Sequence, residues 1–98
     1  MSADNSVIIG CFPNEFRVIH AQAIDNLSYE PDDEDGFNSG AVVRYFSKGE
    51  VCPSVEIAIV RAHKLADSIA ILEYGVSKIH FPHTFDEYQR RALLNRSR

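Results

Sequence analysis

Histidine and cysteine are the side chains of this sequence best suited to metal binding or nucleophilic catalysis. The histidines are His20, His63, His80 and His83, and the cysteines are Cys11 and Cys52. A structural zinc site needs four nitrogen or sulfur ligands, normally with pairs of them a few residues apart. Only His80 and His83 are that close together, and neither cysteine has a cysteine or histidine nearby. The spacing therefore predicts ordinary surface or hydrogen-bonded histidines and no metal cofactor.

The same residue types allow two nucleophilic triads to be written from the sequence. These are Cys11 with His20 and Asp25, and Cys52 with His63 and Asp67. A triad is defined by three-dimensional geometry, and a chain of this size offers such combinations by chance. His63 and Asp67 are four residues apart, which in a helix indicates a simple surface contact. We predict buried structural thiols and no enzymatic activity, with a small hydrolase or metal protein built on the histidines as the alternative.

Acidic side chains are concentrated in one segment, residues 30–40, which we call the acidic loop. It contains five carboxylates, one proline and two glycines, a composition typical of a solvated loop with little to bury. An EF-hand calcium loop needs an aspartate where Pro31 stands and a glutamate well before Glu50. The loop is then either simply solvated or a docking surface for a basic partner. The predicted partner-binding residues are Glu30, Asp32, Asp33, Glu34 and Asp35.

Arginines are concentrated near the end of the chain, at Arg90, Arg91, Arg96 and Arg98. One explanation is that the helix dipole favours cations at the C-terminal end of a helix. The alternative is that these arginines contact nucleic acid. The formal net charge is −4, and residues 1–50 carry three basic against nine acidic side chains. Because phosphate contacts dominate nucleic-acid affinity, direct nucleic-acid binding is the second hypothesis and not the first.

Hydrophobic periodicity predicts the strands that would position these side chains. An apolar run and an alternating segment, joined by turn residues at 13–15, predict a β-hairpin over 6–20. Alternation over 74–81 predicts a later strand. Segments 21–27 and 41–46 each fit either a strand or a helix.

Two helices are predicted. The first spans 55–72, with Ser54 as an N-cap whose hydroxyl accepts a backbone N–H. The second begins near Thr84, because Thr84 and Glu87 have the spacing of a capping box. The apolar positions that recur at helical spacing are Val55, Ala58, Ala62, Leu65, Ile69 and Leu72 in the first helix and Phe85, Tyr88 and Ala92 in the second.

This order of elements predicts one α+β domain over residues 1–98, with a frayed tail over 92–98. It has a small antiparallel or mixed sheet, made of the N-terminal hairpin plus the later strand, packed by one main amphipathic helix, with a C-terminal helix. A chain of 98 residues suffices for one core. No stretch approaches the roughly 18 apolar residues of a membrane span, and residues 1–5 lack the layout of a signal peptide. We expect a cytoplasmic protein with no membrane attachment.

Three short segments form a recognisable set: Ser2-Ala3-Asp4-Asn5, the block from Phe16 to Asn26 (FRVIHAQAIDN) and the block from Glu73 to Ile79 (EYGVSKI). Together they resemble a set of small proteins of unknown function encoded by bacteriophages and prophages. The resemblance implies a strand pair, a variable loop, an amphipathic helix and a final strand, and it supplies no catalytic residues.

The resemblance also implies a function of accessory type. Small phage accessory proteins without active sites usually bind a host protein or ribonucleoprotein complex in the host cytoplasm, and inhibition of a defence system such as a CRISPR effector is one well-populated class. The leading hypothesis is therefore a non-enzymatic, anti-CRISPR-like binding protein that needs no cofactor. Homodimerisation is a further prediction, since a small sheet leaves edges open.

Overall fold

The computed structural model describes residues 5–22, 27–32, 34–69 and 75–96. The strands in these ranges are β1 (Asn5–Phe12), β2 (Glu15–Gln22), β3 (Glu50–Cys52) and β4 (Val76–His80). The helices are α1 (Ser39–Phe46), α2 (Val55–Asp67) and α3 (Phe85–Arg96). The sheet order is β3-β2-β1-β4, with β1 antiparallel to β2 and parallel to β4. The predicted α+β class, with a mixed sheet, an N-terminal hairpin and a C-terminal helix, is confirmed.

The hairpin forms as its sequence pattern predicts. Phe12 pairs with Glu15 across a two-residue turn, and the register continues to the pairing of Asn5 with Gln22. Strand β1 is buried along almost its whole length. Both of its faces are covered by helices, which explains why it is a continuous apolar run and not an alternating one.

Helices cover the two faces of the sheet unequally. Helix α2 packs on one face, whereas α1 and α3 share the other. The prediction of one main packing helix was therefore incomplete, because the helix over Ser39–Phe46 was not recognised as such. The core under α2 contains Val7, Ile9, Cys11, Val18, Cys52, Ala58 and Ala62. The core under α1 and α3 contains Ile8, Phe12, Ile19, Ala21, Leu27, Ala41, Val42, Phe46, Phe81, Phe85 and Tyr88.

The two segments that fitted either structure have separate outcomes. Segment 41–46 is helical, because Asn38 caps α1: its Oδ1 accepts a hydrogen bond of 3.0 Å from the N–H of Ala41. Segment 21–27 begins as the end of β2 and finishes at the buried Leu27. Its residues 23–26 lie outside the described residues.

The predicted end of the main helix is wrong. The prediction extended it over 55–72, but α2 ends at Asp67. Ser68 stops it locally, because its hydroxyl donates a 2.6 Å hydrogen bond to the carbonyl of Leu65. Leu72, the last member of the predicted stripe, lies outside the described residues.

Both predicted helix starts are confirmed by their caps. The hydroxyl of Ser54 accepts a hydrogen bond from the N–H of Ile57 at 3.3 Å. The hydroxyl of Thr84 accepts one from the N–H of Glu87 at 3.1 Å. Helix α3 continues to Arg96, so that the first five residues of the predicted tail over 92–98 are helical.

Candidate functional site

The acidic loop packs against α3 through Asp35. The Asp35 side chain is only 8% exposed, and its Oδ2 lies 3.7 Å from Nε2 of His83. The same oxygen accepts a 2.5 Å hydrogen bond from the hydroxyl of Tyr88, and Oδ1 accepts one of 2.9 Å from the N–H of Phe37. The prediction that this loop has little to bury is therefore wrong for Asp35.

Tyr88 has a structural reason to retain this partner. Its side chain is fully buried, and a buried tyrosine hydroxyl needs a hydrogen-bond acceptor. Burial raises the pKa of Tyr88 well above its ordinary value, and the hydrogen bond to Asp35 and the negative charge of that carboxylate raise it further. The hydroxyl is therefore a permanent donor at neutral pH, and Asp35 acts as its acceptor.

Asp32 fastens the loop at a second point. Its Oδ1 accepts hydrogen bonds from the N–H and the hydroxyl of the buried Ser39, at 3.0 and 3.1 Å. Its Oδ2 accepts a further hydrogen bond from the side-chain amide of Asn95 on α3. Since Ser39 is the first residue of α1, this carboxylate lies at the positive end of the helix dipole. Asp32 thus links the start of α1 to the end of α3.

Further hydrogen bonds to backbone atoms complete the anchoring of the loop. The N–H of Asp32 donates to the carbonyl of Phe37 at 3.3 Å, and the N–H of Asn38 donates to the carbonyl of Leu27 at 2.6 Å. The side-chain amide of Asn38 donates to the carbonyl of Glu30 at 2.9 Å. Glu30 adopts a φ of 52°, a conformation that costs a non-glycine residue about 1–3 kcal/mol and persists only where surrounding contacts offset that cost.

The five predicted partner-binding carboxylates therefore separate into groups. Asp32 and Asp35 make the internal hydrogen bonds that hold the loop. Glu30 and Glu34 are exposed to solvent, and Asp33 lies outside the described residues. Partner binding by these residues stays a prediction; Glu30, Asp32 and Glu34 are the described members that are exposed, whereas the Asp35 side chain is largely buried.

The predicted nucleic-acid arginines are partly engaged within α3 itself. Arg90 forms an ion pair with Glu87, and Nε of Arg91 lies 2.9 Å from the same carboxylate. Arg96 is exposed at a groove between α1 and α3, where Arg44 also lies. Arg98 lies outside the described residues. The charge that these arginines offer to phosphate is thus reduced by Glu87.

The two cysteines are buried but do not meet. Cys11 and Cys52 both pair with Phe16, from opposite sides of β2. Their Cα atoms are therefore two strand spacings apart, about 10 Å, beyond the roughly 7 Å that a disulfide allows. Both thiols are free and buried, as predicted. Burial raises the pKa of Cys11 and that of Cys52 above their ordinary values, which makes both thiols poor nucleophiles.

The triads written from the sequence do not assemble where the structure can be examined. Cys11 pairs with Phe16, whereas His20 pairs with Val7. His20 lies four residues beyond Phe16 on β2, so that the Cα atoms of these two residues are about 13 Å apart and Cys11 is at least as far from His20. Cys52 is buried on β3, while His63 is exposed on α2. Within the ranges that the structure describes, no three histidine, cysteine or acidic side chains are grouped so as to hold a metal ion.

Sequence reasoning missed the partners of the acidic loop. The pair Asn38-Ser39, an N-cap residue followed by a small polar residue, was the local signal that could have revealed the start of α1. Tyr88 and Asn95, by contrast, are 53 and 63 residues away from the carboxylates they contact. No local pattern connects residues so far apart.

Comparison of the chain with protein-family models, with curated proteins and with solved structures found no match. In the described parts of the chain, every helix is too short or too polar to cross a lipid bilayer.

Proposed function

We propose that this chain is a non-enzymatic binding protein that uses its acidic loop to engage a basic surface on a host protein or ribonucleoprotein complex. The observation that carries this proposal is the anchoring of the loop by Asp32 and Asp35. Because these two carboxylates tie the loop to α1 and α3, the exposed Glu30 and Glu34 lie within two residues of an anchored position.

Anchoring matters for binding because it removes part of the ordering cost. A flexible acidic loop would lose conformational entropy on binding, whereas a loop already held in place loses less. The five carboxylates of residues 30–40 have no basic side chain among them, so that their field steers a basic partner toward this face. Such steering weakens as salt shortens the range of the field.

The resemblance to small phage and prophage proteins supports a more specific form of the proposal. In that form the partner is a component of a host defence complex, such as a CRISPR effector, and binding inhibits it in the host cytoplasm. A surface rich in carboxylates can compete with nucleic acid for a basic groove, because both present closely spaced negative charge.

Affinity capture from bacterial lysate tests the binding surface. The immobilised wild-type chain is compared with Glu30→Gln/Glu34→Gln and with a control, Asp67→Asn/Asp86→Asn, that removes the same charge from exposed positions on α2 and α3. We expect the wild type and the control to capture the same partner at about 50 mM salt and to release it at about 500 mM. The loop variant should retain about a tenth or less of it. Equal recovery by all three proteins would contradict the proposal.

A plaque assay tests the inhibitory form directly. A bacterium with an active CRISPR system and a spacer against a test phage is made to express each of the three proteins. The proposal predicts that the wild type and the control restore plaque formation and that the loop variant does not. Unchanged plaque formation with the wild type, in a system whose components the chain captures, would reject inhibition while leaving binding intact.

A further inference from the structure

The outer face of α2 carries two exposed apolar side chains that are not part of the hydrophobic core. Ile57 and Val60 are 42% and 64% exposed and lie one turn apart. The opposite side of the helix is packed on the sheet through Ala58 and Ala62, which are fully buried. A shallow groove on the outer face is lined by Glu56, Ile57, Val60, Arg61 and Lys64, and we call these five residues the α2 stripe.

Charge is arranged along the α2 stripe in one direction. Glu56 lies in the first turn of the helix and Lys64 in the last. Arg61 forms an ion pair with Glu50 of β3, with its Nε 3.0 Å from Oε2 of that carboxylate. The stripe is thus acidic at one end, apolar in the middle and basic at the other end.

We propose that the α2 stripe docks against the α2 stripe of a second copy of the chain, with the two helices antiparallel about a two-fold axis near Val60. Glu56 and Lys64 are each four residues from Val60, about 6 Å along the helix axis. An antiparallel pair centred there brings Glu56 of each copy opposite Lys64 of the other and joins the two apolar pairs. A parallel pair would instead place like charges together, which is unfavourable.

Self-association explains the stripe better than a different occupant does. Its charge pattern is complementary to its own reversed copy, which is the condition for a two-fold interface. Each copy contributes only a single face of one 13-residue helix to the contact. The surface area that such a contact buries is smaller than the roughly 1,200–2,000 Å² of a stable interface. The dimer is therefore weak and forms at high protein concentration. It is independent of the acidic loop, which is anchored on the other side of the sheet.

Charge reversal tests the proposal by sedimentation equilibrium of the purified chain, from about 10 µM to about 1 mM. The wild type is expected to dimerise. Glu56→Lys places a lysine at both ends of the stripe and Lys64→Glu places a glutamate at both ends, so that each variant alone should dimerise about tenfold more weakly. Mixing the two variants should restore association as a heterodimer, because opposite charges then meet at both ends. Lys48→Glu, outside the stripe, is the matched control and should behave as the wild type does.

Three results would overturn the proposal. The first is a wild-type chain that stays monomeric to about 1 mM. The second is dimerisation that neither single reversal weakens, which would indicate another interface such as the open edge of β4. The third is a mixture of Glu56→Lys and Lys64→Glu that does not associate. Thermal unfolding of each variant confirms that the monomer remains folded in these experiments.

Discussion

Tyr88→Phe isolates the anchor between the acidic loop and α3 by removing one oxygen atom. The Tyr88 ring packs edge-on against Phe12 and Phe81, with ring centroids 6.3 and 5.7 Å apart, and phenylalanine keeps these contacts. The interactions that are lost are the 2.5 Å hydrogen bond from the hydroxyl to Asp35 and the backbone hydrogen bond that the same oxygen accepts from His83. The substitution therefore removes the hydrogen bonds of the hydroxyl with little change in packing, and a double-mutant cycle with Asp35 isolates the bond to that carboxylate.

The expected loss follows from the burial of the acceptor. A hydrogen bond to a charged group contributes about 1.5–3 kcal/mol to stability. The Asp35 side chain is only 8% exposed, so that water replaces the lost donor poorly, but the N–H of Phe37 remains bound to it. We therefore expect the lower part of the range, about 1.5–2 kcal/mol. In a domain of this size that loss lowers the midpoint of thermal unfolding by roughly 6–16 °C.

Urea unfolding followed by circular dichroism measures this difference at neutral pH. The control is Tyr29→Phe, which removes the same atom from a residue that is 70% exposed and should change stability by less than about 0.5 kcal/mol. A double-mutant cycle with Asp35→Asn should give a coupling energy of about 1 kcal/mol or more. A Tyr88→Phe protein as stable as the Tyr29→Phe control, or additive effects of the Tyr88 and Asp35 substitutions, would refute the reasoning.

Two further predictions concern the same core. The folded state raises the pKa of Tyr88 above its ordinary value of about 10, so the hydroxyl keeps its proton after the unfolded chain has ionised. Stability should therefore be unaffected by this group below about pH 10 and should fall above it, by up to about 1.4 kcal/mol per pH unit. The buried thiols also lower stability as the pH rises above about 9. The test is therefore the difference in urea midpoint between the wild type and Tyr88→Phe, measured from about pH 9 to 11. If the two proteins lose stability equally over this range, Tyr88 is not the titrating group. Gly10→Ala should cost about 1–3 kcal/mol, because a Cβ there would lie 2.6 Å from Cε1 of Phe46; an unchanged unfolding midpoint would show that Phe46 can move aside.

The parts of the fold that follow from short-range patterns could be predicted from the sequence. The hairpin needs only an apolar run, an alternating strand and the turn between Phe12 and Glu15. Helix α2 needs only a cap at Ser54 and an apolar residue every third or fourth position. In both cases the signal and the structure occupy the same stretch of chain.

Helix α1 shows where short-range patterns stop being sufficient. The segment Ala41–Phe46 contains β-branched and aromatic residues that suit a strand as well as a helix. The choice is made outside it, by Asn38 and by the carboxylate of Asp32 at the helix start. A prediction based on the segment alone could not distinguish the two.

The acidic loop was misjudged for a different physical reason. Composition predicted a solvated segment, since a stretch rich in carboxylates has little apolar surface to bury. Tyr88 and Asn95 supply partners because α3 packs beside α1, an arrangement that depends on the whole fold. The structural role of Asp32 and Asp35 within the loop is therefore a property of tertiary structure.

The placement of helices on both faces of the sheet connects the two proposals. Because β1 is apolar on both sides, α2 must cover one face while α1 and α3 cover the other. The α2 stripe and the acidic loop consequently lie on opposite sides of the molecule. A dimer formed through the stripe would direct its two acidic loops outward, away from the two-fold axis. Such a dimer could bind two basic sites on one assembly, because the first contact raises the effective concentration of the second loop near its site. Weak self-association would then strengthen binding most to assemblies that present the same basic site more than once.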